Sequence, residues 1–282
     1  MNLERKEEHL SKKTIAIYIA AISVCIIAIA IVVSMLVLGD DLINSIFGIE
    51  SRELKTEEEE SLLKQGFDGL FTNTIEVDGA YDIKKSHADK DLVYTEYEKV
   101  EKNDQNYDLN LYIPFINIED ETIQKYNKEI QDIFIEKAES VYETSNRNII
   151  YSIQYKAKVE NGILSLIIKS ILKEGANPQQ LVIQTYNYDI VNKKEINLEE
   201  AINLLGADKN TVQNKILTEI QEEERKANDL KALGYNIFER DSKSDIYKIE
   251  NSKQFFIYDN NLYIIYAYGN DMLTSEMDIV II

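Results

Sequence analysis

An α+β fold, with helices packed on one face of an antiparallel sheet and an N-terminal transmembrane helix ahead of it, is what this sequence predicts. Three observations carry that prediction. One uncharged apolar run, Thr14 to Leu38, stands near the amino terminus. Beyond it, stretches alternating apolar and polar residues are separated by tight-turn dipeptides, the signature of hairpin-linked strands. Between these lie segments whose apolar residues recur every three or four positions, the spacing of a helix with one buried face.

The apolar run, "TIAIYIAAISVCIIAIAIVVSMLVL", covers about 25 residues and as a helix would reach roughly 37 Å, enough to cross a bilayer. It ends in "SMLVLGDD" without the small-residue pattern of a cleavage site, so it reads as a retained anchor. Cys25 lies inside it after Val24, and reads as a packing or lipid-facing residue. Arg5, Lys6, Lys12 and Lys13 precede the run, whereas Asp40 and Asp41 follow it; the basic side faces the cytoplasm. The expectation is a plasma-membrane protein with residues 1–13 as a cytoplasmic tail, 14–38 as the span, and the carboxyl-terminal domain outside the cell.

Residues 39–91 read as a stalk helix and a polar linker. Thr56 with Glu59 fits a capping box, and Leu62, Leu63, Phe67 and Leu70 fall near one helix face. From Asn73 to Asp91 the chain shows no pattern. Residues 92–282 read as the folded domain. "DLVYTEY" and "YDLNLYIPFI" alternate as strands, with Pro114 pushing the second towards an edge or its own end. Ile123, Tyr126, Ile130, Phe134, Ala138 and Val141 predict an amphipathic helix over 119–143. In "NIIYSIQYKAKVENGIL" the odd positions from Ile149 to Val159 are apolar, and the strand runs into Asn161-Gly162, the pair that most favours a two-residue hairpin turn.

"ILSLIIKSIL" then returns as the partner strand. The segment EGANPQQ leads to "QLVIQTYNYDI"; Asn197 and Glu200 can cap a short helix ending at Gly206, and Val212, Ile216, Leu217 and Ile220 mark the buried side of another. "KQFFIYDNNLYIIYAYG" reads as a hairpin around Asp259 to Asn261, followed by a last strand in "EMDIVII". Neighbouring strands joined by tight turns favour an antiparallel sheet.

Charge and composition exclude some functions. Of 282 residues, 50 are acidic and 31 basic, for a net charge of −19; the tail carries +1 and the part beyond the span −20. Such a body repels nucleic acid. With its single cysteine in the anchor, the domain has no disulfide and is held by its core, which suits a bacterial surface better than a small secreted eukaryotic domain.

From Tyr107 onwards, "LYIPFINIEDETIQKYNKEIQDIF", "YSIQYKAKVENGILSLIIKSIL", "YNYDIVNKKEINLEEAI" and "KQFFIYDNNLYIIY" follow in an order that resembles the extracytoplasmic domain family of the lysozyme-sensing anti-sigma factor RsiV and the accessory region of the peptidoglycan deacetylase PdaC. The resemblance covers most of the outer domain and implies its fold, with a cell-wall component or a lysozyme-type protein as ligand. Members often carry a Gly-Gly-Ala-His run where this chain has EGANPQQ, which keeps Gly175 and Ala176 but no histidine. The plain reading of that segment is a connector shaped by Gly175 and Pro178; the alternative is a ligand loop presenting Gly175, Asn177, Gln179 and Gln180. About a dozen residues before the span are too few for a sigma-binding domain. Nor does anything resemble the metal site of a deacetylase domain.

The sequence carries no catalytic signature. His9 and His87 are the only histidines, so neither a histidine triad nor a histidine or cysteine zinc site can be built outside the membrane. Asp104, Asn106 and Asp108 begin like a calcium loop, but Leu109 stands where glycine is required. No spacing singles out a carboxylate pair, and the 18 tyrosines fall mostly at alternating strand positions. The expectation is therefore a binding or sensing module that is not an enzyme, with no metal or cofactor. An envelope scaffold recruiting a partner is the second reading, and an acidic-residue hydrolase the third.

Overall fold

The computed structural model describes residues 52–103, 107–143 and 148–282. The predicted tail and span, residues 1–38, lie outside them; among the described residues no helix is long and apolar enough to cross a membrane. Residues Arg52–Ile282 form one compact unit. It opens with helix α1 (Glu57–Gly66), capped as predicted: the Glu59 N–H donates to Thr56 Oγ1 and the Thr56 N–H to the Glu59 carboxylate. A 3₁₀ turn (Phe67–Leu70) leads to β1 (Thr74–Val77).

Next come β2 (Val93–Asn103), β3 (Tyr107–Ile116) and α2 (Glu121–Ile130), which runs through a π turn (Gln131–Ile135) into α3 (Glu136–Glu143). Strands β4 (Ile149–Glu160), β5 (Ile163–Glu174), β6 (Gln180–Asp189) and β7 (Lys194–Glu195) follow, then helices α4 (Leu198–Leu204) and α5 (Lys209–Ala232). The chain closes with β8 (Phe255–Tyr258), β9 (Asn261–Ala267) and β10 (Met277–Ile281).

Local turn chemistry behaves as the sequence predicts. Asn161 and Gly162 both take positive φ and set Glu160 opposite Ile163. Asp259 and Asn260 do the same between β8 and β9. Every predicted apolar position from Ile123 to Val141 is buried, as are Val212, Ile216 and Ile220, and Asn197 with Glu200 forms the predicted capping box.

Two features of the expected architecture are corrected. The larger sheet is mixed, not antiparallel: β3 and β1 both run parallel to β4. The connection through α2 and α3 is long enough to carry the chain back to the start of the next strand, which a tight turn cannot do. Twelve-residue β4 is shared along one edge, by β3 at Ile149–Ile153 and by β1 at Lys156–Val159. Pro114 lies within β3 but beyond its β4-paired stretch, so its missing N–H leaves that ladder intact.

Nor do the helices share one face. α2 and α3 cover one side of the larger sheet, in a core with Leu111, Tyr151, Ile153 and Leu166. The other side of β5 and β6 packs through Ile167, Leu181 and Ile183 on the second sheet, β10-β9-β8, whose far side is covered by α4 and α5. Four layers result, α/β/β/α. Strand β5 is buried on both faces, which is why "ILSLIIKSIL" is almost continuously apolar rather than alternating.

The stretch 52–91 is drawn into the same unit. Phe67 and Phe71 are buried between the sheets, worth about 2–3 kcal/mol each by the area they hide. α1 is joined to α5 by ion pairs of Lys64 with Glu219 and of Lys215 with Glu60. Residues 87–92 are tied down by the buried Asn117, whose side-chain NH₂ donates to the carbonyls of His87 and Asp91.

Candidate functional site

Strand β7 is only two residues long, so it covers β6 at Tyr188 and Asp189 and leaves Leu181–Asn187 without a strand partner on that side. An open edge of this kind carries unpaired backbone groups that proteins normally cover. Side chains do so here. Asn270 accepts from the Ile183 N–H at 2.9 Å and donates to the Ile183 carbonyl at 2.7 Å; Gln254 Oε1 accepts from the Thr185 N–H at 2.7 Å.

Because side chains stand where a strand would, a cleft of about 470 Å³ remains along this edge. Its walls are α2, β6 at Gln184–Asn187, the turn from β7 into α4, and the segment from Ile249 to Phe255. Amides and hydroxyls form the floor. Gln254 Nε2 donates to Gln184 Oε1 and Gln184 Nε2 to Glu129 Oε1, both at 3.3 Å, while Asn187 Nδ2 donates to the Phe255 carbonyl at 2.8 Å.

Two buried tyrosines make one wall, Tyr126 and Tyr186, with ring centroids 4.9 Å apart. The Tyr126 hydroxyl donates to the Asn187 carbonyl at 3.2 Å. The Tyr186 hydroxyl is fully buried beside the Gln184 side chain, whose hydrogen bonding opposes the effect of burial on it. Burial pushes the pKa of both phenols up, so both are neutral donors.

The rim is acidic. Glu129, Glu195, Glu199 and Glu250 line it, against the single lysine Lys253. Desolvation first, then the charges of Glu195 and Asp132, raise the Glu129 carboxyl above its ordinary value. Glu199 is paired with Lys209 at 2.7 Å. Among the described residues no group of three or more carboxylate, imidazole or thiol side chains is placed to hold a metal ion.

The predicted loop residues lie elsewhere. Gly175 has φ +53°, and its N–H donates to the Asn148 carbonyl; Asn177 turns back to the Glu174 carbonyl through its N–H. Gln179 is exposed, while Gln180 Nε2 donates to the Gly269 carbonyl at 2.7 Å. None of the four lines the acidic cleft. Of the other positions weighed from sequence, Asp104 and Asn106 lie outside the described residues, Asp108 pairs with Lys102, and exposed His87 packs edge-on to Tyr94. A signal for the cleft does exist in "QTYNYD": Thr185, Asn187 and Asp189 are polar residues at alternating, buried positions of a strand, where apolar ones are the rule.

No family model matches the chain, and no curated protein matches it. Among solved structures, a DUF3298 family protein from Pseudomonas aeruginosa PAO1 is similar to it with a TM-score of 0.37 and 10% identity, over 67% of this chain and 84% of that one. A likeness of that degree carries no argument about what this chain does.

Proposed function

We propose that the chain is a membrane-anchored bacterial envelope protein whose outer domain is a non-catalytic binding or sensing module, with the cleft beside β6 as its ligand site. The ligand, on the stretches that resemble the RsiV and PdaC domain family, is a cell-wall component or a lysozyme-type protein. The cleft carries this reading: it is a concave site with a floor of amides and hydroxyls, the groups that orient a polar ligand. Anchoring rests on the apolar run 14–38 and the basic residues before it.

The test is co-sedimentation of the full-length chain with isolated wall sacculi. Glu250 is an exposed rim residue, so Glu250→Trp fills the cleft mouth without disturbing the core. Wild type is expected to sediment and Glu250→Trp to stay in solution. Equal sedimentation of the two would remove the cleft from the account. Anchoring is tested separately, by protease added to cells stripped of wall: a tag at Ile282 should be lost and one at Met1 kept.

The hydrolase, third among the readings from sequence, gains over the scaffold from the raised pKa of Glu129 beside Glu195, a pattern suited to a general acid with a carboxylate partner. It ranks lower because Glu129 is solvent-exposed. Release of soluble fragments from sacculi, abolished by Glu129→Gln, would establish it in place of the binding module.

A further inference from the structure

Strand β2 ends the larger sheet on the side away from the cleft. β3 pairs with one of its edges, and among the described residues no strand pairs with the other. β2 is 11 residues long, and past an irregularity between Thr95 and Tyr97 its ladder to β3 runs unbroken to Asn103. An edge of this kind offers its outward backbone groups to another strand, and proteins commonly guard such edges with charge. β2 does carry charge, but in an order that complements itself.

Residues 98–102 read Glu-Lys-Val-Glu-Lys. When two copies of a strand pair antiparallel about a twofold axis perpendicular to the sheet, directly opposed side chains lie on the same face. With the axis at Val100, Glu98 faces the second copy's Lys102 and Lys99 faces its Glu101, and the symmetry repeats both pairs. Opposite charges so placed attract, whereas like charges repel. Moving the centre by one residue sets Lys99 against Lys99 or Glu101 against Glu101; moving it by two sets Glu98 against Glu98 or Lys102 against Lys102. Only the Val100 register matches the charges throughout.

The side chains are placed to use it. Glu98, Val100 and Lys102 are exposed on one face of β2; Lys99 and Glu101 are half-buried on the other, where Lys99 lies over the Tyr142 ring of α3. Val100 is 58% exposed, an apolar residue among four charges, and pairing about it hides both copies' valines from water. Lys99 is 3.9 Å from Glu101 and Lys102 is 2.9 Å from Asp108. A lysine ammonium has three donors, so each can keep its partner and accept a carboxylate from the second copy.

We infer that two copies of this chain pair antiparallel through β2, with Val100 on the twofold axis, joining their larger sheets into one. The cleft, at the other end of the sheet, stays open in both copies. So short a contact is weak in dilute solution and is favoured where copies are held at high local concentration.

The experiment is disulfide trapping of the full-length chain in detergent, with copper phenanthroline as oxidant and Cys25→Ser as background, so that an introduced cysteine is the only one. Directly opposed residues have Cα atoms about 4.5–5.5 Å apart, within reach of a disulfide. Val100→Cys is therefore expected to form a covalent dimer. In this register the two copies of residue 98, or of residue 102, stand roughly 13 Å apart along the strands. Glu98→Cys and Lys102→Cys should each dimerise slowly alone, and at least about tenfold faster when mixed. Adding Glu98→Lys and Glu101→Lys to Val100→Cys opposes like charges and should slow trapping by about tenfold. Mixing those chains with Val100→Cys chains that carry Lys99→Glu and Lys102→Glu should restore the rate.

No covalent dimer from Val100→Cys would overturn the inference, as would trapping indifferent to the charge reversal. Glu98→Cys dimerising alone as fast as it does with Lys102→Cys would show random collision in place of a fixed register, and would also overturn it. If a charge variant fails to fold, the cysteine mixtures, which change one exposed residue in each chain, decide the question alone.

Discussion

Glu76 shows how single side chains set the stability of this fold. It sits at the β1 edge and accepts from Lys156 and Lys158, two lysines that β4 carries on the face opposite its apolar row. The Lys156 hydrogen bond, followed by that of Lys158 and the charge of Lys156, lowers its carboxyl from 4.5 to about 2. A lowered carboxylate pKa stabilises the fold above its unfolded value and withdraws that support as the group is protonated. Wild type should therefore be more stable than Glu76→Gln near neutral pH, and the gap should close as pH falls from 4.5 towards about 2. Paired thermal melts across that window check it. The effect is modest, because Glu76 is 41% exposed and solvent screens its pairs.

Within the 174–180 loop, Gly175→Val should cost about 1–2 kcal/mol through its left-handed backbone alone, since no atom stands near its missing Cβ. Gln180→Ala should cost about 1 kcal/mol for the bond to Gly269, and Gln179→Ala within about 0.5 kcal/mol of nothing. Urea unfolding of the three variants separates them. A large loss in Gln179→Ala would show a contact that this geometry lacks.

At the level of elements, β1 is the least expected and the most easily tested. "TIEV" has only four residues and no alternation of its own, and it becomes a strand because β4, some eighty positions later, offers it an open edge. A chain starting at Asp91 would lose β1, Phe67, Phe71 and the α1 ion pairs together. It should unfold without a cooperative transition, whereas a chain starting at Arg52 should keep one. A sharp calorimetric transition in the shorter chain, close to that of the longer, would contradict this.

The same contrast explains what was legible in the sequence. Asn161-Gly162, the Thr56 and Asn197 capping boxes and the α2–α3 apolar stripe are specified by residues a few positions apart, and each stands where the sequence placed it. The parallel pairing of β3 with β4, the second sheet, and the cleft depend on segments brought together from far along the chain. Glu129, Gln184, Glu195 and Gln254 carry no local pattern that joins them.

For the whole molecule, four layers bury three apolar interfaces and leave the polar cleft at the edge where β7 stops short. The candidate site is thus a consequence of topology: a longer β7 would pair with β6 and close it. Acidic charge surrounds it, and the proposed anchor would set it beyond the membrane in reach of wall material. Backbone hydrogen exchange, followed on the full-length chain with and without soluble wall fragments, tests this most directly. The account predicts slowed exchange in 184–187, 195–199 and 250–255, with 174–180 unchanged. Protection confined to 174–180, or absent from all three cleft segments, would contradict it.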